Sequence, residues 1–410
     1  MYNFGFNIRI IKYKNKVILI NSENGKWMRI SKKVYEIIVW IVNENLDYEQ
    51  LMNKFVDDND QIYLKKILEC LLKLGILFIK DEKIFSKKTV LFEMTNRCNL
   101  HCVHCCNNSE MCTDFELKYD EIIKIFDFLV NEQPINIILT GGEPLIRSDF
   151  LELLSYLRDN YKGKISLMTN GTLINELNVD SLISNVDEIN ISLDGIDEST
   201  TDIIRGEGVY KKVLTAINLL RKKRYNNITL SMVISEKNYK FQQNFIELNK
   251  KLGTKPLIRG FAEVGRGKTN KELFIEKGNK EYLENVFSDE NLAVEETKNI
   301  SPCTCSAGLE KILVDYKGNV FPCQWFKEPE NKMGNILDNQ RKEFQNNKGV
   351  KSIKKFYPWN YKRCSSCEVN AFCWPCPGEL KNKAQNEEEF KQICNMIRPI
   401  LFRKVWDEEV

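Results

Sequence analysis

The period of the apolar positions changes along the chain, and each change marks an element. Near the start, alternating runs at Ile8–Tyr13, Val17–Asn21 and Lys26–Ile30 predict three strands. Ser22-Glu23-Asn24-Gly25 supplies turn chemistry between the second and third. The spacing then lengthens. Val34, Ile37, Ile38, Ile41 and Val42 line one face of a helix over Lys32–Asn45, opened by Ser31. A second helix is predicted over Tyr48–Val56. A third covers Gln61–Leu74, with Leu64, Ile67, Leu68, Leu71 and Leu72 on its apolar face. A short strand pair, Leu77–Lys80 and Lys83–Phe85, closes a winged helix-turn-helix pattern over residues 1–86.

Strands and helices then alternate. Strands are predicted near Val90–Thr95, Ile135–Thr140, Ile165–Thr169, Glu188–Leu193, Ile228–Ile234 and Pro256–Phe261. Helices are predicted near Tyr119–Asn131, Asp149–Tyr161, Val179–Ser184, Tyr210–Lys223 and Tyr239–Leu252. This alternation predicts an α/β fold, a partial (β/α)6 TIM-like barrel over residues 87–296, with ligands at the C-terminal ends of its strands. Gly265–Ile300 is charged and irregular, with one helix expected near Lys280–Phe287. Ile312–Asp315 and Asn319–Phe321 flank Tyr316-Lys317-Gly318 as a hairpin within a cysteine-rich third domain, 297–410.

Composition narrows the function. Hydrophobic residues make up 43% of 410, enough for a substantial core, and the net charge of +3 gives no electrostatic case for nucleic acid or anionic membrane. From Asp47 to Gln61 the chain has Asp47, Glu49, Asp57, Asp58 and Asp60 against Lys54 alone. A DNA reader needs the opposite sign there. With no long apolar stretch and no signal-peptide pattern, a cytoplasmic protein is expected. In that setting its fourteen cysteines read as metal ligands before disulfides.

The chemistry-bearing motifs fall at the expected strand ends. Cys98, Cys102 and Cys105 follow the first strand at C-x3-C-x2-C spacing. Three close thiolates can wrap one iron–sulfur cluster but leave one metal corner open; a closed structural zinc site wants four ligands. The second strand ends in Gly141-Gly142-Glu143-Pro144. The two glycines allow the backbone to approach a ligand, and Glu143 can accept from an ammonium group. The third ends in Thr169-Asn170-Gly171 and the fourth in Ser192-Leu193-Asp194-Gly195. Alternation along a strand places Ser192 and Asp194 on one face, where a hydroxyl and a carboxylate suit ribose hydroxyls. Arg205-Gly206 follows, and Glu263-Val264-Gly265-Arg266-Gly267 follows the sixth strand.

These residues resemble the radical SAM enzymes, whose cluster loop is C-x3-C-x-aromatic-C; here His104 takes the aromatic place. The resemblance implies that Cys98, Cys102 and Cys105 hold a [4Fe–4S] cluster whose open iron grips S-adenosylmethionine. It implies that Gly141, Gly142, Glu143 and Pro144 hold the methionine amino group. Asn170, Ser192 and Asp194 would join the cofactor site, and Arg205 would meet the cofactor carboxylate. The reduced cluster would split S-adenosylmethionine into methionine and a 5′-deoxyadenosyl radical, which takes hydrogen from the substrate.

Eight further cysteines lie beyond residue 300: Cys303, Cys305, Cys323, Cys364, Cys367, Cys373, Cys376 and Cys394. Eight thiols divide into two sets of four, suiting two more clusters or two zinc ions. Their spacing resembles the SPASM domain, except that Cys373-x2-Cys376 is one residue short of the usual interval. That likeness assigns Cys305, Cys323, Cys376 and Cys303 to one auxiliary [4Fe–4S] cluster and Cys364, Cys367, Cys373 and Cys394 to the other. Three clusters are thus implied in all. Cys106 and Cys112 receive no role.

Residues 1–86 resemble the RiPP recognition element, which binds the leader of a ribosomally made precursor peptide by adding a strand to its sheet. The edge would be Trp27, Met28, Arg29 and Ile30. A leader-binding module fused to a SPASM barrel looks like a peptide maturase of the sactipeptide or ranthipeptide type, forming intramolecular Cys thioethers. A flavodoxin or ferredoxin would supply electrons. The alternatives are a carbon–carbon or carbon–oxygen cross-link, and formylglycine formation as in anaerobic sulfatase maturases. A non-enzymatic, metal-stapled peptide-binding protein is the third. Gln324 stands where the sulfatase maturases carry a basic aspartate, and an amide is no general base.

Overall fold

The structure, a computed structural model, describes residues 2–5, 8–79, 88–276, 300–338 and 348–407. It divides into two units, Met1–Ser86 with Leu283–Ser306 and Ile353–Val410, and Lys87–Tyr282 with Ala307–Ser352. One division falls between Ser86 and Lys87, and the stretch 297–410 contributes to both units.

In the first unit, β1 (Tyr2–Phe4) precedes three antiparallel strands, β2 (Ile8–Tyr13), β3 (Lys16–Asn21) and β4 (Trp27–Ser31), ordered β2-β3-β4. Strand β3 is buried from Val17 to Asn21, because both faces of this sheet are covered. Val17 and Leu19 pack with Ile38, Ile41, Leu64, Leu68 and Leu71 of the helices. Ile18 and Ile20 pack with Ile397, Leu401, Phe402, Val405 and Trp406 of the helix Glu387–Trp406. Burying each such side chain contributes roughly 1.5–3 kcal/mol. Ser31 caps the helix Lys32–Asn43, its hydroxyl accepting from Val34 N at 3.2 Å.

The second helix is shorter than expected, Tyr48–Met52. The third, Asp58–Lys73, begins earlier. Asp57 caps it, accepting from Asn59 N, and Asp58 and Asp60 fill its first turn. Part of the acidic run therefore serves a helix N-terminus. The expected wing differs: β5 (Leu77–Ile79) pairs antiparallel with β1, a strand absent from the sequence reading, and Lys83–Phe85 lies outside the described residues.

The second unit holds the alternation. Strands β6 (Thr89–Glu93), β7 (Asn136–Thr140), β8 (Lys164–Thr169), β9 (Glu188–Ser192), β10 (Ile228–Ile234) and β11 (Lys255–Gly260) pair in parallel, each beside the next in sequence. Intervening helices include Tyr119–Asn131, which buries Ile122, Ile125, Phe126 and Leu129 at helical spacing. The hairpin β12 (Lys311–Val314) and β13 (Asn319–Phe321), with β14 (Gly334–Asn335), extends this sheet. β12 runs parallel to β6, with Leu313 opposite Leu91, and covers the edge β6 would otherwise expose. The helix expected near Lys280–Phe287 lies outside the described residues.

Between the parallel strands, the periodicity does not predict the helix Glu198–Arg205, which buries only Thr201; beyond residue 340 it predicts neither Pro377–Lys383 nor Glu387–Trp406. A polar segment with one buried residue carries little apolar periodicity. Its start is fixed instead by a capping box between Asp197 and Thr200.

Candidate active site at the strand ends

The cysteine loop and the glycine pair are fastened to one another by backbone. Gly142 N donates to Thr95 O and Glu143 N to Arg97 O, each at 2.8 Å. A Cβ at Gly142 would come within 2.1 Å of Arg97 O, and one at Gly141, whose φ is +140°, within 2.3 Å of Thr95 O. Only glycine fits so close a crossing. Gly141 and Gly142 line a cavity of about 310 Å³ together with Cys98, Cys102 and Cys105.

Glu143 was expected to face an ammonium group. It is fully buried, and its carboxylate is engaged by its neighbours. Oε1 accepts from Thr169 Oγ1 at 2.7 Å and Leu145 N at 3.1 Å, and Oε2 accepts from Asn170 N at 2.7 Å. Burial raises its pKa against these hydrogen bonds. Glu143 thus ties the end of β7 to the end of β8, while Pro144, also buried, starts a short 3₁₀ turn. Asn170 lines the cavity; its Nδ2 donates to Asn99 Oδ1 at 2.9 Å and lies 3.9 Å from Cys98 Sγ.

Ser192 and Asp194 both line the cavity, though not by strand alternation. Strand β9 stops at Ser192, and Asp194 adopts the left-handed region with φ +62°. Its Oδ1 accepts from Val233 N at 2.7 Å. Its Oδ2 accepts from Arg205 Nε at 2.8 Å, Arg205 Nη2 at 2.6 Å and His104 Nε2 at 2.8 Å. Burial alone would raise its pKa, but Arg205 and His104 outweigh that and hold it below the usual carboxylate range. The carboxylate expected to meet ribose hydroxyls is therefore spent within the protein, and Arg205 is spent largely on it.

The turn after β11 braces the loop. Arg266 Nε donates to Cys102 O at 2.9 Å, Arg266 Nη1 to Ser109 O at 3.0 Å, and Asn270 Nδ2 to Val103 O at 2.8 Å. His104 packs against Phe274, which stacks on Phe261. Arg259, Phe261, Gln324 and Trp325 also line the cavity, and the sequence reading gave them no cofactor role. Gln324 directly follows Cys323, and its amide donates to Asn107 Oδ1 and Cys106 O.

The donor set fits an iron–sulfur cluster. Every described cysteine is a free thiol. Burial and the nearby Glu143, Cys102 and Cys105 push the Cys98 thiol up to about 11, against the Leu100 N–H. Metal binding must therefore displace protons here. Asn170, Arg205 and Leu100 N all present N–H groups to these sulfurs, the surroundings a bound cluster's thiolates require. No three His, Cys, Asp or Glu side chains among the described residues are gathered around one ion position. A cuboidal cluster puts each thiolate on a separate iron.

Cys364, Cys367, Cys373 and Cys394 share a second cavity, of about 130 Å³, in the first unit. Burial pushes Cys364 up to about 12 and Cys373 well above its usual value. Cys303, Cys305 and Cys376 belong to that unit too, while Cys323, in the other, lies just after β13 and before the 3₁₀ turn Gln324–Phe326. Cys303 N donates to Ala371 O at 2.7 Å, and Tyr357 donates to Cys305 O at 2.8 Å.

The proposed docking strand β4 is an edge strand, and its side chains are engaged. Trp27 Nε1 donates to Ile300 O at 2.9 Å and its ring meets Phe372 edge-on. Arg29 bonds Val405 O and Asp407. Met28 and Ile30 pack on the helical core.

Residues 92–243 match the radical SAM superfamily, and residues 303–368 match the SPASM iron–sulfur cluster-binding domain. The chain is 26% identical over 293 residues to mycofactocin maturase MftC of Mycolicibacterium smegmatis, covering 67% of this chain and 74% of that one. It is 26% identical over 323 residues to the antilisterial bacteriocin subtilosin biosynthesis protein AlbA of Bacillus subtilis, covering 75% and 70%. The fold resembles that of Streptococcus suis SuiB bound to S-adenosylmethionine, with a TM-score of 0.56 at 16% identity over 94% of this chain and 97% of that one. It also resembles anSMEcpe with bound AdoMet, at 0.57 and 19% over 78% and 99%. Among the described residues no helix is long and apolar enough to cross a membrane. The chain thus carries a radical SAM domain, which takes S-adenosylmethionine and a [4Fe–4S] cluster, and a SPASM domain, which takes auxiliary iron–sulfur clusters.

Proposed function

We propose that this protein modifies a ribosomally made precursor peptide by radical chemistry, joining a Cys sulfur to a carbon of the same peptide. The observation that carries the reading is the single cavity lined by Cys98, Cys102, Cys105, Gly141, Gly142, Asn170 and Ser192. When bound there, the reduced cluster and S-adenosylmethionine supply a 5′-deoxyadenosyl radical that removes a substrate hydrogen. Glu143 and the glycine pair hold the cavity wall in register, and Arg266 holds the cysteine loop against it.

The peptide substrate is supported by the names of the relatives MftC and AlbA and by a SuiB structure bound to its precursor peptide SuiA. For this chain, the backbone edge of β4, which pairs with no further strand among the described residues, suits strand addition by a leader, with Trp27, Met28, Arg29 and Ile30 fixing the strand rather than reading the peptide. Cys364, Cys367, Cys373 and Cys394, which share one cavity, would hold an auxiliary cluster. A cluster held by these four thiolates would supply a site for the electron left when the C–S bond closes. A flavodoxin or ferredoxin in the cytoplasm would be the reductant. Formylglycine formation is disfavoured because Gln324 offers an amide where a base is needed.

The test is direct. Anaerobically reconstituted protein with dithionite and S-adenosylmethionine should release 5′-deoxyadenosine. A short Cys-bearing peptide encoded beside this gene should lose two hydrogens per bond and one alkylatable thiol. An unchanged peptide thiol alongside S-adenosylmethionine cleavage sinks the thioether; absence of cleavage sinks the enzyme.

A further inference from the structure

The three thiols of the loop have unequal surroundings. Cys98 Sγ accepts from Leu100 N at 3.4 Å and from Asn170 Nδ2 at 3.9 Å, both uncharged donors. Cys102 Sγ lies 3.8 Å from Arg205 Nη1, a charged donor. The other edge of that guanidinium, Nε and Nη2, is fixed on Asp194. Asp194 is itself fixed by His104 Nε2 and Val233 N. The side chains of Arg205, Asp194 and His104 are only 10%, 1% and 9% exposed. A fork held on one edge by a buried carboxylate cannot swing into solvent, so its remaining N–H stays at the sulfur.

We propose that Arg205, positioned by Asp194 and His104, sets the reduction potential of the cluster on Cys98, Cys102 and Cys105. The inference rests on the reading that this loop holds a [4Fe–4S] cluster, and it goes beyond the carboxylate-anchoring role that family likeness gives Arg205. One-electron reduction adds negative charge to the cluster and its sulfurs. A cation and an N–H donor at Cys102 stabilise the reduced form more than the oxidised one and raise the potential. Little water reaches these groups to screen the effect. His104 and Asp194 act through Arg205 and are positioning residues. This accounts for a histidine where the family pattern has an aromatic residue: a phenyl ring packs on Phe274 equally well but gives Asp194 no hydrogen bond.

The full chain, reconstituted anaerobically, is titrated with dithionite and followed by electron paramagnetic resonance. The relevant signal is the one whose shape changes on adding S-adenosylmethionine. Arg205→Gln should lower the reduced-to-oxidised ratio about tenfold at fixed ambient potential, equivalent to ~59 mV for a one-electron couple. Arg205→Lys, which keeps the charge but loses the fork, should fall between. Asn170→Ala should shift the potential less than Arg205→Gln, and His104→Phe should shift it in the same direction with iron content unchanged. An unaltered midpoint in Arg205→Gln with the responsive signal intact overturns the inference. If that variant loads no iron, an unaltered midpoint in Arg205→Lys overturns it. A wild-type protein with no signal that responds to S-adenosylmethionine overturns the underlying cluster reading instead.

Discussion

Arg266 Nε donates to the carbonyl of Cys102, 164 residues earlier in the chain, at 2.9 Å. Beside it Gly265, with φ +58°, lies so close that a Cβ would come within 2.5 Å of both Cys105 O and Cys106 O. The cysteine loop therefore owes its shape to a turn on the far side of the sheet order. Gly265→Ala should displace the loop and Arg266→Ala should loosen it, the latter removing two hydrogen bonds worth ~1 kcal/mol each. Both should lose iron from this site first. Loss of the S-adenosylmethionine-responsive signal, with auxiliary clusters retained, checks this; full retention in Gly265→Ala would refute it.

Glu143 accepts three hydrogen bonds inside the protein. In Glu143→Gln, one oxygen becomes a donor facing a backbone N–H, that of Asn170 or of Leu145. Leaving buried groups unpaired costs ~1–3 kcal/mol. S-adenosylmethionine should bind roughly 10- to 100-fold more weakly, with iron content unaltered. Equilibrium binding to the reconstituted protein gives the answer, and an equal Kd removes Glu143 from the architecture of the site.

Glu93 and Lys327 form an ion pair at 2.6 Å, with the carboxylate side chain 2% exposed. Burial raises the Glu93 pKa even with Lys327 beside it. A raised folded pKa means the carboxyl favours folding most at low pH, below its unfolded value, and that this contribution is lost as pH rises through the folded value. Lys327→Met removes the cation, raises that value further and should destabilise by ~3–5 kcal/mol near neutrality. The melting temperature of Lys327→Met should fall more between pH 5 and pH 8 than that of the parent. Equal falls would mean that the pair is solvated.

Cys364, Cys367, Cys373 and Cys394 enclose one cavity. Cys394→Ser should remove one auxiliary cluster, lowering iron and sulfide together, while leaving uncoupled 5′-deoxyadenosine formation at the barrel site measurable. Peptide modification should drop at least tenfold. Unchanged iron in this variant would rule out Cys394 as a ligand.

Trp27 anchors β4 through Ile300 O and Phe372. Trp27→Ala should destabilise the first unit by ~3–5 kcal/mol. Trp27→Phe should recover all but the lost hydrogen bond, ~1 kcal/mol. Thermal melts decide between this anchoring role and a side chain reserved for the peptide: a solvent-facing Trp27 would leave the melting temperature unmoved in both.

Much of this was legible in the sequence. Ile228–Ile234 and Tyr119–Asn131 appear with the bounds their apolar periods predict, because a buried face repeats at the period of its own element. The spacing of Cys98, Cys102 and Cys105 likewise marks a candidate open metal site, since the spacing of residues within one loop is set by local chain geometry. The tertiary structure alone decided which donor meets which sulfur and carboxylate. Asp194, Arg205, His104 and Val233 converge from separate elements, and side-chain hydrogen bonds between distant residues leave no periodic trace. It also decided that the second face of the β2-β3-β4 sheet is covered by the helix Glu387–Trp406: a strand apolar on both sides declares that it is buried twice, and nothing in its residues says by what.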